Sequence, residues 1–382
     1  MKEHRRKVAE ILNRSDIIAH VSMTGGGTSF IGEYLGFGGA SSTLVGAEVP
    51  YHPSKVDEFL GNKPFDKYCS RGTARQMAAK SYFIAKGSEM NREESNPIGI
   101  GVTCSLTTGK GERVGRENKA FVCIHSGDHT SEFGIQFFGF LGGREVQEGH
   151  VVDYIFSAIT TFTKESCNLM GAMDNPILKH LGRMQPSVKL DHDFCEKRPQ
   201  TIKNALKRFK DVENIIVMSG SFNPFHEGHA EVFEKCKLFS YSLSKSVLMV
   251  EVTSSAQGKA PIDHLTIRDR VKNVMAQTGH VDVVYSDVPF FVDKYNEYSD
   301  GKTKVIFAIG YDIYERIRDF NYKEGTHEEF FKSRDLSPDE ISFIVFPRED
   351  KNYEGDDPYV LEDSKGLEIR NLHISSTQIR NK

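Results

Sequence analysis

The stretch "IIVMSGSFNPFHEGHAEVFEKC", residues 215–236, decides how this chain is read. An apolar run of strand character ends at Gly220, a turn containing Pro224 follows, and His226 and His229 stand three residues apart before a helical pattern begins. Zinc proteases set two histidines four apart on one helix face with a glutamate between them. Here the spacing is shorter, Gly228 lies inside it and no third ligand is evident nearby, which argues against a metal cluster built by the protein. Two readings remain. The histidines cap an ordinary strand-to-helix turn, or they donate to phosphate oxygens at a helix start whose free N–H groups favour an anion. Gly228 suits the second, because it lets a backbone approach a ligand with no side chain in the way.

Outward from this turn, "SVLMVEVT", "VDVVYSD", "KVIFAIG" and "ISFIVF" read as strands, with "AEVFEKCKLFSYSL" and "LTIRDRVKNVMAQ" as helices between them. Continuous apolar strands joined by helical crossovers predict a parallel sheet covered on both faces. Ligands of such sheets bind beyond the carboxyl ends of the strands, where Gly220, Thr253 and Gly310 fall. Residues 1–163 alternate in the same way: "GIGVTCSL" and "KAFVCIH" read as strands, "TARQMAAKSYFIAK" and "EVQEGHVVDYIFSAITTF" as helices, and Val8, Ile11 and Leu12 mark the apolar face of a first helix. Between the two, Gly171, Pro176, Gly182, Pro186 and Pro199 interrupt any periodicity. The expected fold class is therefore α/β with two domains, 1–163 and 212–382, the second a Rossmann-like doubly wound parallel sheet, joined by a linker over 164–211. The linker closes with "EKRPQTIKNALKRFK", which carries six Lys/Arg against one Glu and reads as a solvated basic helix, or as a track for phosphorylated ligands.

Bulk composition narrows the function classes. Hydrophobic residues at 38% and charged residues at 27% of 382 describe a globular chain. A net charge of -4 argues against a dedicated nucleic-acid binder, which is usually basic, although local patches can still hold anionic ligands. Six cysteines without a CxxC pair suggest reduced thiols in an intracellular compartment. No apolar run approaches the ~20 residues that span a bilayer, and the first residues lack the apolar core of a signal peptide. Glu3, Glu10 and Asp16 disfavour a mitochondrial presequence. The expectation is a cytoplasmic protein with no membrane partner, the nucleus not excluded and a homo-oligomer left open.

On these residues the second half resembles a known family. "GSFNPFHEGH" is similar to the HxGH signature of the nucleotidyltransferases that include nicotinamide-mononucleotide adenylyltransferases and cytidylyltransferases, and "ISSTQIR", residues 374–380, is similar to their ISSTxIR signature. The resemblance implies that His226 and His229 contact the nucleotide triphosphate and stabilise charge on the transferring phosphate. It implies that Gly220, Ser221 and Phe222 form the turn beside the nucleotide, and that Ser375, Ser376, Thr377 and Arg380 form a second phosphate cradle. Gly310 and Asp312 resemble the GxD of the adenylyltransferases. Phe320 stands where bacterial nicotinate-mononucleotide enzymes often place a tryptophan that stacks on the pyridine ring, and this chain has no Trp, which leaves stacking to Phe320 or Tyr322. Lys259 and Arg270 resemble basic positions of the acceptor site; taken alone, they read equally as a solvated helix face.

The first half resembles the CinA C-terminal domain, whose active members are nicotinamide-nucleotide amidases. Ser22, Thr24, Gly25 and Gly26 match the SxTGG core of its ESCTGG motif, Ser41 falls at its GSS turn, and Tyr51 matches the tyrosine of its YSNExK stretch. A Ser or Thr beside a glycine turn suits a nucleophile or a ribose-phosphate contact. The chain departs from the pattern, with Val21 in place of the glutamate, Lys55 four rather than five residues after Tyr51, and Cys104 in place of a loop glycine. The expectation for this half is nucleotide binding, oligomerisation or a retained structural module, with amidase activity open.

Together the resemblances imply adenylyl transfer from ATP to nicotinamide or nicotinate mononucleotide, with Mg2+ entering on the triphosphate. A cytidylyltransferase acting on a phosphorylated alcohol, and a nucleotide-binding scaffold without turnover, are the alternatives.

Overall fold

The computed structural model describes the chain except for residues 89, 91–92, 109–114, 139–142, 168–173, 185–186, 197–204, 206, 210, 255–261, 280–281, 287, 289, 300, 320–335, 349–350, 366 and 370–382. It divides into two compact units, residues 1–197 with 259–266, and 198–258 with 267–382.

The first unit opens with helix α1 (Lys2–Leu12), whose Val8, Ala9 and Leu12 are buried as the apolar spacing predicts. Strand β1 (Ile17–Thr24) is buried along its whole length, because it lies between β2 (Leu44–Glu48) and β3 (Asn96–Ser105), both parallel to it. Helices α2 (Ser29–Gly36), α3 (Pro53–Leu60) and α4 (Arg71–Lys86) fill the intervals. Strands β4 (Asn118–Ser126) and β5 (His129–Phe137) continue the sheet antiparallel, and the long α5 (Gly143–Cys167) follows. The linker reading of 164–211 needs correction. Its middle forms α6 (Pro176–Gly182) and β6 (Val188–Glu196), and β6 pairs antiparallel with β5 to complete the order β2-β1-β3-β4-β5-β6. Val188, Leu190, His192 and Phe194 alternate with polar residues, the period-2 signature of a half-buried strand. The surrounding Gly and Pro concealed it. Most of the basic stretch "TIKNALKRFK" lies outside the described residues.

The second unit is the doubly wound sheet. Strands β7 (Asn214–Gly220), β8 (Ser246–Thr253), β9 (Val283–Ser286), β10 (Lys304–Gly310) and β11 (Ile341–Phe346) run in the order β11-β10-β7-β8-β9, all parallel. The chain starts in the middle of the sheet, and its direction of growth reverses between β7 and β10, the place where such sheets open a crevice. Alternate side chains feed two cores. Val217, Met249 and Phe307 pack with Val292, Tyr295 and Tyr298 of α9 (Phe291–Tyr298), while Met218, Val250 and Ala308 pack with Phe233 and Cys236 of α7 (Glu227–Ser242) and Val274 of α8 (His264–Thr278). α10 (Tyr311–Asp319) follows β10 directly. Each fully enclosed aliphatic side chain contributes about 1.5–3 kcal/mol, which is why these strands are dominated by apolar residues. Among the described residues no helix is long and apolar enough to cross a membrane.

Candidate functional site

In the second unit, β7 ends at Gly220 and the turn Ser221–Phe225 carries the chain to His226, the N-cap of α7, whose backbone is extended (φ -142°, ψ 173°). Phe222 is buried and holds φ +42°, a conformation that side-chain-bearing residues seldom adopt. Strain of this kind gathers at functional turns. Gly220 makes room for it, since a Cβ there would lie 2.8 Å from the Phe222 ring. The ring meets His229 edge-on at 5.1 Å, and Phe225 packs at 5.3 Å from the same imidazole.

The two histidines are brought together. Their rings stack at 3.7 Å between centroids, and the His226 N–H donates to His229 Nδ1 at 3.3 Å. Burial lowers the His226 pKa to about 4, with the Arg348 charge adding to the effect. Burial, then His226 and Arg348, lowers that of His229 to about 3. Both imidazoles are therefore neutral near pH 7. Because His229 Nδ1 accepts a hydrogen bond, the proton of the neutral ring resides on Nε2 and is free to be donated to a ligand. His226 Nδ1 is buried with no hydrogen-bond partner among the described residues.

Arg270 is not on a solvated helix face. It is buried in α8 and its Nη1 donates to the Ser221 carbonyl at 2.9 Å, so that it supports the turn from behind. Gly228 is buried in the first turn of α7. Gly310 ends β10, next to β7 in the sheet, and Asp312 lies in the first turn of α10, half exposed and 3.8 Å from Arg316. Lys259, Phe320, Ser375, Ser376, Thr377 and Arg380, together with Tyr322, lie outside the described residues. Arg348, two residues beyond β11, is the cation that sequence reading missed. Its only signal was position, "FPRED" at the carboxyl end of β11, the strand beside β10.

In the first unit, the motif residues separate. Ser22 is fully enclosed on β1; its Oγ receives a hydrogen bond from Ser81 at 2.9 Å and donates towards the Met77 carbonyl at 3.3 Å. A hydroxyl so placed does not serve as a nucleophile, because β1 is covered on both faces. Thr24 is buried at the end of the strand. Gly25 holds φ +80°, and a Cβ there would lie 2.0 Å from the Cys104 carbonyl oxygen, so only glycine fits. Gly26 faces Leu106 and Glu148. Ser41 is exposed in the short 3-10 turn Ala40–Ser42, Tyr51 is 63% exposed, and Lys55 pairs with Glu58 at 2.6 Å on an exposed face of α3. The residue that sequence reading missed is Glu148 of α5. Its carboxylate accepts from the Gly27 N–H at 2.8 Å, the Ser29 N–H at 3.2 Å and Ser29 Oγ at 3.3 Å, filling the start of α2. Arg144, one turn earlier, donates to the Gly25 carbonyl at 2.9 Å.

Among the described residues, no group of three or more His, Cys, Asp or Glu side chains could hold a metal ion. Residues 217–382 match the cytidylyltransferase-like family, which supports a nucleotidyl transfer activity for the second unit. Solved structures similar to part of the chain include a competence/damage-inducible protein from Agrobacterium tumefaciens (15% identity, TM-score 0.33, 42% of this chain and 92% of that one). Two more are a CinA-superfamily protein from Enterobacter cloacae (16%, 0.33, 41% and 91%) and a competence or damage-inducible protein from Enterobacter asburiae (17%, 0.33, 41% and 97%). Among curated proteins, none matches the chain.

Proposed function

We propose that the second unit transfers the adenylyl group of ATP to nicotinamide mononucleotide or its acid form, releasing pyrophosphate. The observation that carries this reading is the neutral, stacked pair His226 and His229 at the start of α7, beside the point where the strand order reverses. An acceptor phosphate is already an anion, so its oxygen attacks the α-phosphorus without a strong base. The bond from that phosphorus to the bridging oxygen breaks, and pyrophosphate leaves with the electron pair. Charge gathers meanwhile on the non-bridging oxygens of the α-phosphate. Neutral imidazole N–H groups and the N–H groups of the first turn of α7 are fixed donors for that charge, already oriented before reaction. The turn Gly220–Phe222, locked by Arg270 behind it, holds the nucleotide in line. Mg2+ would enter with the triphosphate, and its charge would neutralise the departing pyrophosphate.

The choice of acceptor is supported by the resemblance of Gly310 and Asp312 to the adenylyltransferase GxD. In the first unit, the enclosure of Ser22 and the filling of the α2 start by Glu148 favour a structural module over an amidase. The test is pyrophosphate release by the purified chain with Mg2+, pairing ATP or CTP with nicotinamide mononucleotide, its acid form and phosphocholine. Turnover with CTP alone would assign a cytidylyltransferase of a phosphorylated alcohol. Nucleotide binding with no turnover in any pair would assign a scaffold. Ammonia release from the mononucleotide reads the first unit separately.

A further inference from the structure

Behind the histidine-bearing turn lies a buried charged cluster that no motif contains. Ser219 closes β7, Glu251 and Thr253 close β8, and side-chain alternation puts all three on the sheet face covered by α9. Lys294 of α9 reaches this point. Its Nζ lies 2.7 Å from Glu251 Oε1 and donates to Ser219 Oγ at 2.9 Å and to Thr253 Oγ1 at 3.1 Å. The Ser219 and Thr253 hydroxyls are themselves 3.3 Å apart. An ammonium has three protons, and these partners occupy all three. The side chains of Lys294 and Glu251 are 3% and 0% exposed, so neither reaches a ligand. One turn along α9, the Tyr298 hydroxyl lies beside Glu251, and burial together with that charge raises its pKa well above the usual value.

Enclosing an ion pair is costly, and an apolar pair of similar size generally holds a core as well or better. Stability alone therefore does not account for this one. Apolar side chains resist sliding only weakly, whereas three directional bonds from one ammonium fix the relative register of two strand ends. Ser219 is the residue before the Gly220–Ser221–Phe222 turn, so what fixes Ser219 fixes where that turn begins. We infer that Lys294, with Glu251 as its counter-ion, is a positioning residue that pins the carboxyl ends of β7 and β8 and thereby sets the geometry of His226 and His229. The inference rests on the nucleotidyl-transfer reading for its effect on rate. A misplacement of about 1 Å costs roughly a hundredfold in rate.

Three variants test it: Lys294→Met, the double variant Glu251→Leu/Lys294→Met, and Ser219→Ala. Lys294→Met leaves a carboxylate buried without its partner and is expected to lose both stability and turnover. The double variant regains the wild-type urea midpoint while kcat stays about ten- to a hundredfold down and the nucleotide KM changes less. Ser219→Ala, which keeps the ion pair but leaves one ammonium proton unmatched, is expected to lower kcat several-fold with a urea midpoint reduced less than in Lys294→Met. A stable double variant with wild-type kcat overturns the inference, as does Ser219→Ala with wild-type kcat. If the wild-type chain turns over no nucleotide pair, the function reading fails, and the inference is then decided by the ring resonances of His226 and His229 in histidine-labelled NMR spectra. Shifted resonances in the double variant and in Ser219→Ala support it; spectra superimposable on wild type overturn it.

Discussion

The turns after β1 and after β7 are built alike and end differently. Each leaves the carboxyl end of a strand that has parallel neighbours on both sides, passes through glycine, and opens a helix whose first N–H groups attract negative charge. After β1 the charge comes from the chain itself: Glu148 accepts from Gly27 and Ser29. After β7 the first turn is met by two neutral imidazoles, and His226 Nδ1 is left without a partner among the described residues. Geometry alone thus makes a cradle in both places. The two differ by one side chain delivered by a distant helix, which a glycine-turn motif does not contain.

The largest expected effect breaks the second turn. His229→Ala removes the donor proposed for the transferring phosphate and is expected to lower kcat about 10²–10³-fold in the pyrophosphate assay. Unchanged turnover would remove His229 from the site and leave the two turns functionally equal. Next comes Gly25→Ala in the first turn. The added Cβ meets the Cys104 carbonyl at 2.0 Å at φ +80°, and a stability loss of about 3 kcal/mol in urea melts is expected. A neutral result would mean that this turn adopts another shape.

The strands of the second unit were legible in sequence because β7, β8, β10 and β11 are covered on both faces and each carries an uninterrupted apolar run, IIVM, VLMV, VIFAI and FIVF. β5 was not, because Glu132 stands in its middle. That carboxylate is buried and is neutralised by Arg71 and Arg75 from α4, a pairing that no local window contains. The same holds at the sites. The spacing of His226 and His229 is local and could be read, whereas Glu148, Arg348 and Lys294 are brought in from 119 to 121, about 120, and 75 residues away along the chain. Arg270 was noticed as a cation, yet its neighbour, the Ser221 carbonyl, is a tertiary fact.

Smaller effects sharpen the contrast. Glu148→Gln keeps the shape of the plug and removes its charge, weakening the bonds from Gly27 and Ser29. A loss of about 1–2 kcal/mol is expected in the same melts. A gain in stability would show that the carboxylate is a burden at that turn, and the parallel between the two cradles would fail.

The gentlest test needs no change in the first turn. His226 and His229 have folded-state pKa values lowered to about 4 and about 3 by burial, against 6.5 when unfolded. Between pH 6.5 and 4 the unfolded chain binds protons that the folded turn does not, so stability is complete above pH 6.5 and declines as the pH falls towards 4. His20, buried on β1 and lowered to about 4 by desolvation, adds to the same slope from the first unit. The slope of unfolding free energy against pH counts these protons, and His229→Gln is expected to reduce it by about one proton near pH 5. A slope equal to that of wild type would mean that His229 is already charged or open to water in the folded protein. The second turn would then present a cation where neutral donors are described, and its difference from the Glu148-filled turn would be one of charge sign alone.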